Sequence, residues 1–212
     1  MRVLVACEYS GAVRDAFTRA GHDAMSCDLL DTEVPGNHYT GDVRDVLDDG
    51  WDLMVCHPPC TDLAVSGNAH MAKKWADGRV DAALDFVRLL LSAPIPRIAL
   101  ENPVAIISSQ IRKPSQTIQP WEYGHPEKKA TCLWLKNLPP LTPTKIVYDH
   151  MMTLPKKEAE RVHMLPPSDT RWLERSRTFP GIAAAMADQW GPLGPFDPAV
   201  EGDLLDLLAL TN

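Results

Sequence analysis

The sequence contains no run of apolar residues near the roughly 18 that a membrane span requires, so no membrane association is expected. Its first residues, Met1-Arg2-Val3-Leu4-Val5-Ala6, reach a cysteine and a glutamate without the long apolar stretch and small-residue cleavage site of a secretory signal, and the expected location is the cytoplasm. An even set of cysteines is also missing. The five present (Cys7, Cys27, Cys56, Cys60, Cys132) are an odd number in a chain large enough to fold without staples, which favours free thiols over a disulfide framework. Internal repeats and low-complexity tracts are absent. So is any excess of basic charge: the net charge of −7 by itself argues against a polyanionic partner. The distribution tempers that objection. Residues 1–111 carry 9 basic and 16 acidic side chains, residues 112–177 carry 12 and 7, and residues 178–212 carry 0 and 5. A basic face on an acidic body fits these counts, as does chance clustering on a solvated surface.

What is present is an ordinary globular balance: 212 residues, 45% hydrophobic and 23% charged, enough for one domain spanning 1–212. Residues 1–111 alternate short apolar runs with amphipathic stretches. Val3–Ala6 reads as a buried strand, and Ala12–Ala20 as a helix with Val13, Ala16, Phe17 and Ala20 on one face, ended by Gly21. Asp23–Cys27 reads as a second strand with Asp28 at its carboxyl end, 31–39 as a loop, and Gly41-Asp42-Val43 as the close of a third unit. Asp52–Cys56 is a fourth strand, Val80–Leu91 a helix and Arg97–Leu100 a fifth strand. Strands joined by helical crossovers imply a doubly wound, mostly parallel α/β sheet, whose ligands bind beyond the carboxyl ends of its strands. From Ser108 the texture becomes proline-rich. Residues 112–177 are expected to form a basic, substrate-facing insertion, containing a strand at Thr131–Leu135. Arg171–Trp190 returns to helical texture with Pro180 at a helix start, and Asp203–Leu210 reads as a short amphipathic helix.

Chemistry is sought at two strand ends. His57-Pro58-Pro59-Cys60 follows the fourth strand directly, and its two prolines fix an extended turn that presents Cys60 at the edge, as a nucleophile requires. A rigid loop with a buried thiol is the plainer reading. Cys56, His57 and Cys60 also invite a metal, but no second Cys or His pair stands at ligand spacing. Leu100-Glu101-Asn102-Pro103 ends the next strand. Neighbouring strands lie about 4.8 Å apart, so Cys60 and Glu101 can meet one small substrate. A thiol and a carboxyl group suit attack on an electron-poor heterocycle, although Glu101 alone could be a cap or a surface group.

Asp52–Cys60, with its Pro-Pro-Cys, resembles the catalytic motif of the DNA (cytosine-5)-methyltransferases, and Leu100-Glu101-Asn102 resembles their Glu-Asn motif, in the same order. Cys7-Glu8-Tyr9-Ser10-Gly11-Ala12, with Arg14 and Gly21, is similar to their loop and helix for S-adenosylmethionine (SAM). Phe179-Pro180-Gly181-Ile182-Ala183 matches their last helix. The resemblance covers residues 1–111 well and the rest thinly. It implies a Rossmann-like SAM-dependent methyltransferase fold, with Cys60 attacking C6 of cytosine, Glu101 engaging N3 and Asn102 positioning the Glu101 loop. Cys7, Tyr9, Ser10, Gly11, Asp28, Asp42 and Pro58 would hold SAM, Asp28 at the ribose and Asp42 at the adenine. Pro59, Lys128 and Lys129 would meet the base, the lysines standing in for an arginine-bearing strand of the family that has no match here.

The sequence departs from that pattern at Tyr9 and Ala12, where the family has glycines, and at Pro103, where it has valine. Between Lys136 and Arg171 there is no room for a full target-recognition domain. The expected partner is therefore DNA in single-stranded, mismatched or distorted form, with selectivity low or supplied by a partner protein. A small phage or mobile-element enzyme suits the size. Alternatives are an enzyme of the same lineage acting on a free cytosine nucleotide or transferring another group, an amino-methyltransferase reading of His57–Cys60, and a non-catalytic module that binds DNA or protein.

Overall fold

The computed structural model describes residues 1–64 and 71–197, and the expected helix at Asp203–Leu210 lies outside them. Seven strands form one sheet: β1 (Arg2–Ala6), β2 (Asp23–Asp28), β3 (His38–Thr40), β4 (Leu53–Cys56), β5 (Arg97–Pro103), β6 (Gln116–Ile118) and β7 (Thr131–Lys136). Their order is β3-β2-β1-β4-β5-β7-β6; β1 to β5 pair in parallel, while β7 runs against both β5 and β6. This is a Rossmann-like, mostly parallel α/β sheet. The direction of chain travel reverses between β1 and β4, which places the ligand-binding crevice beyond their carboxyl ends.

Side chains alternate across each strand, and the central strands are apolar on both sides because helices cover both faces. Leu4, Met54, Ile98 and Trp134 point into one layer with Val80, Leu84, Val87 and Leu90 of α3 (Arg79–Leu91). Val3, Val5, Val55 and Leu133 point into the other, with Val13 and Phe17 of α1 (Ala12–Arg19) and Ile182, Met186 and Trp190 of α8 (Pro180–Trp190). The crossover helix α3 has a short partner before it, α2 (Met71–Ala76).

Several expectations need correction. Ala20 is exposed, and the fourth inward position of α1 belongs to Arg14, which is 1% exposed. Its guanidinium bonds Asp15, Ser26, Thr32 and the Val34 and Pro35 carbonyls, so burial is offset by hydrogen bonds rather than avoided. The third strand is His38–Thr40, inside the stretch read partly as loop; three residues carry too little periodicity to be seen. The basic segment 112–177 is not wholly an insertion. Residues 116–136 build β6 and β7 into the sheet, and the excursion proper follows β7, with α4 (Ile107–Gln110) before it and α5 (Tyr148–Thr153), α6 (Lys156–Ala159) and α7 (Arg171–Ser176) within or after it. The helical texture read from Arg171 to Trp190 breaks at Arg177–Phe179. Phe179 precedes Pro180 and is held extended, at φ −65° and ψ 133°.

Candidate active site

The loop after β1 is built around a buried carboxylate. Glu8, 4% exposed, accepts the N–H groups of Val13 (2.7 Å) and Arg14 (3.2 Å) and the Ser10 hydroxyl (3.3 Å). It thereby caps α1 from three residues ahead of its N-cap, Gly11. That glycine has φ +73°, and a Cβ on it would meet Arg14 at 2.5 Å and Val34 at 2.7 Å, so its place in the loop suits no larger residue. Cys7 is itself left-handed, with φ 59°, in a conformation non-glycine residues seldom adopt.

Asp28 and Asp42 both come to this end of the sheet. Burial first, then Asp28, Cys27 and Asp42, push the Cys7 thiol far above its ordinary value, so Cys7 just past β1, Asp28 at the end of β2 and Asp42 just past β3 share one field. Each carboxylate also has local work. Asp28 accepts the Leu30 N–H (3.0 Å), and Asp42 caps a 3-10 turn at Val43–Asp45 and pairs with Arg44 (3.0 Å).

The turn after β4 is fixed from several sides. The His57 N–H donates to Ala6 (2.9 Å), and the Cys60 carbonyl accepts Leu63 (3.0 Å) and Ala64 (2.8 Å). Asn102, 1% exposed on β5, donates to the Pro58 carbonyl at 2.8 Å. Pro58 is buried, while Pro59 and Cys60 are exposed at the tip. Asn102 thus holds the Pro-Pro-Cys turn, whereas the sequence had suggested the Glu101 loop. Glu101 extends into the same place, its Oε2 lying 3.3 Å from His57 Nδ1. Burial works to raise this carboxyl, but the His57 hydrogen bond, Lys129 and the Thr131 hydroxyl outweigh it and hold the group below its ordinary value. The Cys60 thiol stands above its own, through desolvation and then the Glu101 charge, with Arg175 and Lys129 opposing.

Across these loops lies a strap, α7 and residues 177–178. Tyr9 donates its hydroxyl to the Leu173 carbonyl (2.6 Å), and its ring stands 6.4 Å from that of Trp172. Arg177 forks onto Glu33 at 2.5 and 3.0 Å. Lys129 donates to the Arg175 carbonyl at 2.9 Å, so this lysine tethers the strap and also charges the site. Lys128 is exposed, with its N–H on the Ala159 carbonyl. Beneath the strap a cavity of about 30 Å³ remains between the Cys7–Ser10 loop, His57, Ser176 and Thr178. A larger hollow of about 440 Å³ opens beside Arg19, Asp23 and Ala24, at the amino end of β2, away from all of these groups.

The residues expected to hold SAM therefore do gather, as do Cys60, Glu101, Asn102 and Lys129. Glu8 and Thr131 were given no role, His57 was read only within its turn and as a metal candidate, and the strap was not foreseen as a cover over the site. His57 was legible in His-Pro-Pro-Cys; the strap, 70 residues beyond Glu101, left no local signal. Among the described residues no group of three or more His, Cys, Asp or Glu side chains is arranged to hold a metal ion. Of the basic residues in the middle segment, Arg161 pairs with Glu127 (3.0 Å), Lys156 with Glu160 (3.9 Å), and Arg171 donates to the His163 carbonyl (2.9 Å). No helix among the described residues is long and apolar enough to cross a membrane.

In comparisons with known proteins, no family model and no curated protein matches the chain. A solved structure of a methyltransferase from Entamoeba histolytica, EhMeth, is similar to it, with 14% identity and a TM-score of 0.46 over 69% of this chain and 57% of that one. The chain thus spans less than two thirds of that protein's length, and no functional residue is carried over from it.

Proposed function

We propose that the protein is a SAM-dependent methyltransferase of the DNA cytosine-C5 kind, acting on bases that are unpaired or easily extruded. The observation that supports this reading is that Asn102 of β5 pins the Pro-Pro-Cys turn while Glu101, the residue before it, bonds His57 of the same turn, which brings Glu101 to the turn that carries Cys60.

The cofactor reading rests on Glu8. Dinucleotide cofactors place a pyrophosphate on the first helix's N-terminus. Here that position is filled by the protein's own carboxylate, which uses the free N–H groups and repels a second anion. The arrangement suits a nucleoside cofactor without phosphates, whose ribose hydroxyls would donate to Asp28. When bound, SAM would supply an electrophilic methyl group. The 30 Å³ beneath the strap has room for about one water molecule, so loading requires the strap to move.

On the substrate side, Cys60 as thiolate forms a bond to C6 of cytosine while N3 takes a proton from the Glu101 side. C5 then carries the electron density that accepts the methyl group. Loss of the C5 proton to water, breakage of the S–C6 bond with its electron pair staying on sulfur, and return of the N3 proton to the Glu101 side restore the aromatic ring and the thiolate. Attack at C6 needs a ring face that stacking hides in a duplex, so the base must be flipped out or already single-stranded.

A reading at the level of a free cytosine nucleotide draws support from the internal pairing of Arg161, Lys156 and Arg171, which leaves fewer cations for a phosphate backbone. Incubation with isotopically labelled SAM, followed by mass spectrometry of nucleosides from DNA and of free nucleotides, decides between them. Labelled 5-methylcytosine in DNA is expected; label on the exocyclic nitrogen, or none, would contradict the reading.

A further inference from the structure

We propose that His57 delivers the proton that Glu101 passes to N3, so that the two side chains work as one acid. The proposal rests on the cytosine-C5 reading given above. His57 and Glu101 are 9% and 15% exposed, and Nδ1 lies 3.3 Å from Oε2. An ionised carboxylate only accepts hydrogen bonds, so Nδ1 carries the hydrogen in this contact. The other ring nitrogen, Nε2, is buried without a partner, and His57 is one of the residues that line the cavity beneath the strap. A buried, unpaired nitrogen weakens the fold unless it serves a purpose. At about 30 Å³ the cavity has room for about one water. Nε2 is thus the ring position left to take up a proton, on a residue that lines the cavity, while Nδ1 faces the carboxylate.

The reaction needs such a source. Each attack on C6 requires one proton at N3, and a Glu101 carboxylate held ionised by His57, Lys129 and Thr131 has none to give. In the proposed step the His57 ring, with its hydrogen on Nδ1, takes up a solvent proton at Nε2. Its Nδ1–H bond breaks with the electron pair staying on nitrogen, an O–H bond forms at Glu101 Oε2, and Glu101 passes a proton to N3. When the S–C6 bond breaks and aromaticity returns, N3 releases its proton and the route runs backward, so no net proton is consumed. Around the pair stand Lys129, Thr131 and Cys132 at the head of β7, Cys56 at the end of β4, Cys7 and Glu8 after β1, Cys60 in the same turn, and Arg175, Ser176 and Thr178 on the strap. Of these, Glu8 is already bonded to α1 and Lys129 to strap carbonyls, which leaves His57 as the side chain placed to hand a proton to Glu101. His57 acts through Glu101 and is in that sense a positioning residue.

The test compares wild type with His57→Asn, whose amide can still donate to Glu101 but cannot transfer a proton, and with His57→Gln as a second variant. Methyl transfer to single-stranded DNA is followed against pH, and the fold is checked by thermal unfolding. At neutral pH, kcat should fall about 10²-fold with KM for DNA little changed. The deficit should narrow as pH falls, because Glu101 then takes its proton directly from solvent. Equal rates, or a deficit of the same size at every pH, would overturn the proposal while leaving the C5 reading in place. A wild type that methylates no cytosine substrate would remove that reading and this step with it. Independently of turnover, ¹⁵N spectra of the ring should show the neutral tautomer protonated at Nδ1 in wild type and released from that preference in Glu101→Ala. A wild-type ring protonated at Nε2 would also overturn it.

Discussion

The side-chain amide of Asn102 donates to the Pro58 carbonyl at 2.8 Å, joining β5 to the turn that carries Cys60. Two short motifs about 40 residues apart thereby become one unit, and the position of Cys60 depends on an amide bonded to the turn's backbone. Asn102→Ala leaves a buried carbonyl unpaired, at a cost of about 1–3 kcal/mol. Its urea midpoint should fall and its methyl transfer should drop well over tenfold, with SAM affinity retained; unchanged transfer would show that the pin is irrelevant to catalysis.

Glu8 caps α1 with two N–H acceptances from a buried position. Glu8→Ala should lose about 0.5–2 kcal/mol of unfolding free energy in urea, the range for lost caps. The variant also frees the helix N-terminus, so weak binding of pyrophosphate, absent in wild type, should become measurable by calorimetry.

Folding lowers the Glu101 carboxyl below 4.5, its unstructured value, so the folded protein binds that proton more weakly than the unfolded chain. The corresponding stability is fully present above 4.5 and is lost as pH falls through the lower folded value. Melting temperatures measured from about pH 6 to 3 should therefore decline less steeply in Glu101→Gln than in wild type. Identical declines would mean that Glu101 gains nothing from its neighbours.

Tyr9 ties the strap through the Leu173 carbonyl at 2.6 Å and the Ser176 hydroxyl at 3.3 Å. Tyr9→Phe removes both bonds and keeps the ring against Trp172. Trypsin should then cut faster at Arg171, Arg175 or Arg177 without a comparable change elsewhere, and SAM should bind faster. Cleavage at the wild-type rate would mean that Arg177–Glu33 and Lys129 hold the strap alone.

The parallel core was legible because each buried strand is a short apolar run and each covering helix has one apolar face: Val3–Ala6, Leu53–Cys56 and α3 all stand where the pattern put them. β3 and β6 were not, since three residues cannot show a period, and β7's reversed direction is a property of pairing that sequence alone does not express. Cys60 and Glu101 were found from their positions at strand ends. Asn102's role shifted from one loop to the other because a side chain's partner across the sheet depends on where it points, which spacing does not reveal. Glu8 was overlooked as a cap because it precedes the helix by more than the usual cap position, and its reach depends on the left-handed Cys7 and Gly11.

The central claim is that Cys60 attacks C6 of a cytosine. Single-stranded DNA carrying 5-fluorocytosine tests it directly, because after attack and methyl transfer C5 holds fluorine where a proton would leave, and the S–C6 bond cannot be released. With SAM present, wild-type protein should form a denaturation-resistant complex with this DNA, seen as a band of higher mass, and Cys60→Ser should form none while still binding SAM. Methylation of ordinary cytosine by a wild type that yields no such complex, or activity that survives in Cys60→Ser, would contradict the account.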